Sequence, residues 1–170
     1  MLPLMMMFLP ANAAFPADPV PTPTAEMKPI AFLAGHWQGT GWAQTREGKK
    51  TFTIDEKVEP KLDGSVFLVE GIGKDNDGKV HHHALAFFHY DKEAKHYKVK
   101  AFRKDSGYVD AKGEMKDGKF VWGFDLPQGG QVRFTLKIND KGQWVETGEF
   151  SRDGKQWFPS MEMTLDKVKK

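Results

Sequence analysis

No cysteine occurs among the 170 residues. That excludes a disulfide framework, thiolate chemistry and the lipidated cysteine of a lipoprotein signal. The chain also lacks a dominant charge. Its 25 Lys+Arg stand against 23 Asp+Glu, a formal net charge of +2, and the lysines are scattered through turns. Nucleic-acid binding needs a basic patch for counterion release. The short tail "KVKK" is the single resemblance to one, so nucleic acid is excluded as a partner. A long apolar run is missing too. The opening "MLPLMMMFLP" is interrupted by Pro3 and Pro10 and is too short to span a bilayer. Ser151 and Ser160 have no strand-to-helix elbow around them, which argues against a serine hydrolase. The stretch "DNDG" at 75–78 has Gly73 where a calcium loop needs its first acidic ligand and Ala84 where it needs the closing glutamate, so it is not an EF-hand.

What is present begins with an apolar stretch followed by Ala11-Asn12-Ala13-Ala14, the pattern of a secretory signal with a small-residue cleavage site. No charge precedes Asp18, so the usual basic segment is missing, as a start placed downstream of the true one would leave it. A short anchor or tail is the alternative. The expected division is a signal peptide over 1–14, a Pro-rich linker over 15–24 and one folded domain over 25–170. The mature protein is then expected in the periplasm or secreted, with no stable membrane anchor after cleavage.

From Gly48 onward, turn chemistry recurs at nearly even spacing: Glu47-Gly48, Asp63-Gly64, "DNDG", "DKEAK" at 91–95, "DSG" at 105–107, Asp117-Gly118, Gly129-Gly130, "NDKG" at 139–142 and Asp153-Gly154. Gly and Asn tolerate positive φ and Asp bonds its own backbone, so these mark hairpins. The segments between them have a period of two. Tyr97, Val99 and Ala101 alternate with lysines; Phe120, Trp122 and Phe124 form one face; Val132, Phe134, Leu136 and Ile138 form another. Only "TAEMKPIAFLAG" at 24–35 reads as a helix, with Thr24 as N-cap and Gly35 just past its end. The expected fold is all-β: a closed antiparallel up-and-down barrel of about ten strands with one short N-terminal helix, because closure removes exposed sheet edges. A β-sandwich is the competing architecture.

The segment "FLAGHWQGTG" places Gly35 and Trp37 after the short helix and at the start of the first strand. This resembles the opening motif of the calycin superfamily, in which the tryptophan closes one end of the barrel. With "EPKLDGSVFLVEG", "ALAFFHYD" and "SRDGKQWFPSMEMTLDKV", the chain over roughly 30–168 resembles the bacterial lipocalin-like domain-of-unknown-function family 1579, related to nitrobindin-type haem-binding barrels. Relatives often close the last strand with an arginine packed on the tryptophan; Lys167 stands at that position here. Nitrobindin-type barrels ligate haem through a histidine of the final strand, and "WFPSMEMTLDKV" has none. The resemblance therefore implies the barrel and weakens haem.

The segment "KVHHHALAFFHYD" at 79–91 raises the question of a metal site. With a two-residue loop inside "DNDG" and a five-residue loop at 91–95, His83 faces Glu70 on one side and Arg103 on the other, and Phe87 faces Val66 and Val99. The odd-numbered residues then point inward and His82 outward. Glu70, His81, His83 and Arg103 would form a polar cluster on the inner wall. His89 lies roughly 20 Å along the strand from His83 and cannot share its first shell. His81, His83 and Glu70 are weak candidates for zinc or non-haem iron, against which Arg103 would place a repelling charge. Glu56 and Glu146 also fall on inner faces as a conceivable carboxylate pair, each more simply bonded to a neighbour or set near a rim. Phe87, Trp122, Phe124, Phe134 and Met161, with Trp144, Phe150, Trp157 and Met163, would line the interior.

These readings converge on an exported barrel that binds a small, largely apolar molecule in its lumen, without catalysis and without a cofactor. The alternatives are a metal or haem barrel using His81 and His83, and a fully packed envelope interaction module. The oligomeric state is not legible.

Overall fold

The computed structural model describes residues 20–169. The expected signal segment 1–14 and residues 15–19 of the linker lie outside the described residues. A short 3₁₀ helix, Lys28–Leu33, precedes ten strands: β1 Gly35–Thr45, β2 Gly48–Lys61, β3 Val66–Lys74, β4 Val80–Asp91, β5 His96–Arg103, β6 Tyr108–Lys116, β7 Lys119–Asp125, β8 Gln131–Ile138, β9 Trp144–Ser151 and β10 Phe158–Lys167. Each strand pairs antiparallel with its sequence neighbours, and β1 closes on β10, so the sheet is a closed barrel rather than a sandwich. All nine connections fall at the turn signals named above.

The helix is tighter and shorter than the sequence pattern suggests. Thr24 does not cap it through its side chain; its carbonyl accepts from the backbone N–H groups of Met27 and Lys28. Pro29 opens the turn, and Gly35 follows the C-cap Ala34 with φ +136°, a value that favours glycine. Met27, Ile30 and Leu33 are buried and plug one end of the barrel. The Tyr97 hydroxyl donates to the Glu26 carbonyl at 2.7 Å, and Thr24 N–H donates to the Gly64 carbonyl at 3.1 Å, pinning the plug to the loops at that end.

Trp37 closes the same end. Its indole N–H donates to the Leu33 carbonyl at 2.8 Å, its ring meets Trp144 edge-on, and the Lys167 ammonium lies 5.0 Å from the ring centroid. Lys167 thus takes the place expected for it, paired in register with Trp37, as a point charge over the ring. Gly35 leaves room for the lysine stem, because a Cβ there would lie 2.7 Å from Lys167 Cε.

β1 approaches β10 so closely that a Cβ on Gly39 would fall 2.1 Å from the Thr164 carbonyl oxygen and 2.8 Å from Leu165 Cα. Both obstacles are backbone and cannot swing aside. Gly39→Ala is therefore expected to cost about 2–4 kcal/mol. A urea unfolding curve checks this, and a midpoint equal to wild type would show that the closure seam is looser than described.

Candidate functional site: the barrel lumen

Which residues enter the lumen is decided by two turns. β5 turns Tyr97, Val99 and Ala101 inward, as its lysine alternation predicts. The loop from β4 to β5 has four residues, 92–95, because Asp91 pairs with His96 and Tyr90 with Tyr97. Asp91 holds this tight loop by accepting from the N–H groups of Glu93 and Ala94, and Lys95 adopts φ 55°. Those backbone bonds, with the Lys98 ammonium, hold the Asp91 carboxyl down at about 2. One residue fewer in the loop inverts β4. Ala84, Ala86, Phe88 and Tyr90 face inward, and His83, Leu85, Phe87 and His89 face outward.

The expected polar cluster is corrected accordingly. Glu70 and His83 do meet, at 3.1 Å, but on the outer face, where both are more than two-fifths exposed. Phe87 likewise leaves the lumen lining, and Phe88 takes its place. Trp157 also lies outside, under the Arg133 guanidinium at 4.1 Å. Arg103 is on the inner side as expected, at the mouth, where it is paired with Asp105 at 3.0 Å. A β-bulge opposite Gly73 and Lys74 swings His81 to the mouth as well, with its ring 5.7 Å from that of Phe52. His82, expected outside, faces in. Burial, then the positive charges of neighbouring His81 and Arg103, lowers its pKa below the ordinary imidazole value. The zinc or iron trio is therefore split across the wall. Among the described residues, no group of three or more His, Asp and Glu is placed to hold a metal ion. Toward the interior β10 presents Met161, Met163 and Leu165 and no histidine, so the last-strand histidine of the nitrobindin-type barrels has no counterpart here.

The lumen contains a cavity of about 450 Å³. It exists because one wall is built from small residues, Gly71 and Gly73 on β3, Ala84 and Ala86 on β4 and Ala101 on β5. Ten strands enclose more volume than such side chains fill. The wall from β7 and β8 is aromatic: Trp122 is stacked between Phe124 and Phe134, at 6.2 and 4.4 Å between centroids. With Met161, these are the expected lining residues found in place.

The floor is chemically different. Glu56 on β2 and Glu146 on β9 both point in and are 8% and 7% exposed. The Glu56 carboxyl folds over Gly71, where a Cβ would lie 2.5 Å from its Oε1. The groups acting on the two carboxyls include no cation. Burial, reinforced at Glu56 by Glu146 and Asp55, pushes both up to about 8, so both are protonated at neutral pH. Beside them the Trp144 N–H is directed toward Glu146 without closing a hydrogen bond, and it is 2% exposed with no partner. The lumen thus runs from a basic mouth, His81, His82, Arg103 and Lys104, past apolar walls to a carboxyl floor. Strand alternation marked Glu56 and Glu146 as inward. That no cation pairs with them is what sequence reasoning missed.

The barrel is similar to the crystal structure of Rv2717c from M. tuberculosis, with a TM-score of 0.64 and 8% identity over 87% of this chain and 100% of that chain. It is also similar to the S-type phycobiliprotein lyase CPES from Guillardia theta, with a TM-score of 0.59 and 12% identity over 87% of this chain and 99% of that one. At such identities the likeness is one of fold, a lipocalin-like barrel. No family model matches the chain, and a search of curated proteins finds no match.

Proposed function

We propose that this protein is an exported, non-catalytic carrier that binds one small, largely apolar molecule in the barrel lumen and needs no resident cofactor. The observation that carries the reading is the cavity of about 450 Å³, within the range of small-molecule sites, with aromatic walls and few polar groups. Burying a ligand there gains about 25 cal/mol per Å² of apolar surface removed from water. The cavity counts against a fully packed interaction module. The motifs "FLAGHW" and "SRDGKQWFPSMEMTLDKV" support placing the chain with domain-of-unknown-function family 1579 and near nitrobindin-type barrels, and the apolar opening segment supports export.

Titration with the neutral fluorescent probe N-phenylnaphthylamine tests the reading. Ala86 faces Ala101 across the small-residue wall, so Ala86→Trp fills the cavity and should weaken the probe by roughly tenfold or more. Leu85→Ala, on the outer face and away from the cavity, should leave binding unchanged. Equal affinity in wild type and Ala86→Trp would place the probe outside the lumen and defeat the proposal. A native mass spectrum of the mature protein taken from its own compartment would then name the resident ligand.

A further inference from the structure

We propose that the lumen recognises an amine: an organic cation with an apolar body, its ammonium seated at the floor against Glu56 and Glu146. The inference rests on the carrier reading and specifies its ligand. Two carboxyl groups share a floor that apolar side chains could have filled at no electrostatic cost, and no lysine, arginine or histidine reaches them from the protein. The indole of Trp144 beside them has an unpartnered N–H and borders the same cavity. The strands packed around the pair present Trp37 and Gly39 on β1, Gly71 on β3, Leu136 on β8 and Met163 on β10, none of them titratable. Asp55 adjoins Glu56 on its own strand, with its side chain on the outer face against His36. The other ionisable groups bordering the cavity, His81, His82, His83, Arg103, Lys104 and Asp105, sit at the mouth. A cation that passes them finds acceptors at the floor and aromatic faces along the wall, the combination that favours an ammonium over its neutral isostere.

The ligand enters as R–NH₃⁺, one glutamic acid releases its proton to solvent, and the resulting carboxylate pairs with the ammonium. The second carboxyl stays protonated. Binding therefore releases one proton while both carboxyls are neutral in the free protein. Affinity should rise about tenfold per pH unit between pH 6 and about 8 and level off above it, where the floor has ionised on its own.

The test compares three probes with one body, naphthylmethylamine, naphthylmethanol and naphthoate, by calorimetry at pH 6 and pH 8. The amine is expected to bind tightest and to gain roughly a hundredfold over that interval, while naphthylmethanol binds equally at both. In the double variant Glu56→Gln, Glu146→Gln the amine should lose its preference and its pH dependence. Retained binding of naphthylmethanol would show that the variant is folded. Naphthylmethanol binding as tightly as the amine, or an amine affinity indifferent to pH, would overturn the inference and leave the carrier reading standing. Failure of all three probes, together with equal N-phenylnaphthylamine affinity in wild type and Ala86→Trp, would sink both.

Discussion

Replacing Trp37 with alanine is expected to lower the unfolding free energy by about 3–5 kcal/mol. Trp37 is 2% exposed and joins three parts of the closed end at once. Its ring stands edge-on to Trp144 at 5.9 Å and 89°, its N–H satisfies the Leu33 carbonyl at the end of the 3₁₀ helix, and its face carries the Lys167 ammonium. Alanine would remove the largest share of apolar contact there, leave a void under a helix too short to hold itself, and strand a buried carbonyl. Trp37→Phe keeps most of the volume and loses the hydrogen bond, so about 1–2 kcal/mol is expected for it. Since domains of this kind are stable by about 5–15 kcal/mol, the alanine variant should sit close to unfolding at room temperature. Urea midpoints of the two variants check the ordering. A loss under about 1 kcal/mol for Trp37→Ala would mean that the plug, rather than the tryptophan, closes the barrel.

The barrel was legible because its turns announce themselves. Gly64, Gly78, Gly118, Gly129, Gly142 and Gly154 all adopt the positive φ that their turns require. The inward faces of β5 and β8 were legible because lysines or arginine occupy alternate positions, and that of β7 because Phe120, Trp122 and Phe124 share one face. β4 offered no such marker. Leu85 and Phe87 on one face are as apolar as Ala84, Ala86 and Phe88 on the other, so hydrophobic alternation could not choose between them. The choice rested on one loop length, and that loop places Lys95, not glycine or asparagine, in the left-handed region. The bulge that brings His81 to the mouth is equally silent, since nothing in three consecutive histidines shows which is the extra residue. The outward set now explains a different feature. Leu85, Phe102 and Tyr108 lie side by side across β4, β5 and β6 and leave an exposed apolar patch, with the Phe102 and Tyr108 rings tilted at 43° and 5.2 Å apart.

The carboxyl floor makes the stability of the unliganded protein fall as pH rises. An unfolded glutamate titrates near 4.5, whereas the folded pair titrates near 8. Between those values the native state holds protons that the unfolded chain has released, so the slope of unfolding free energy against pH is negative. The contribution is present in full below the unfolded pKa, is lost progressively up to about pH 8, and is flat beyond. Each carboxyl contributes on the order of a few kcal/mol to this drop. Two other sets of groups act in the opposite sense at lower pH. His82, lowered by burial, costs stability as pH falls below the ordinary 6.5 of an imidazole. Asp55, Asp91, Asp105 and Asp153, lowered by their hydrogen bonds, cost stability as pH falls below 3.8. The optimum is thus displaced to mildly acidic pH, near 5, instead of the neutral range. Glu56→Gln with Glu146→Gln removes both titrations and should flatten the curve between pH 5 and 8.5, leaving the variant more stable than wild type at the alkaline end. Urea unfolding at pH 5, 6.5 and 8.5 decides it. A wild type more stable at 8.5 than at 5, with the same slope in the double variant, would mean that the two carboxyls reach water and that the floor of the lumen is open.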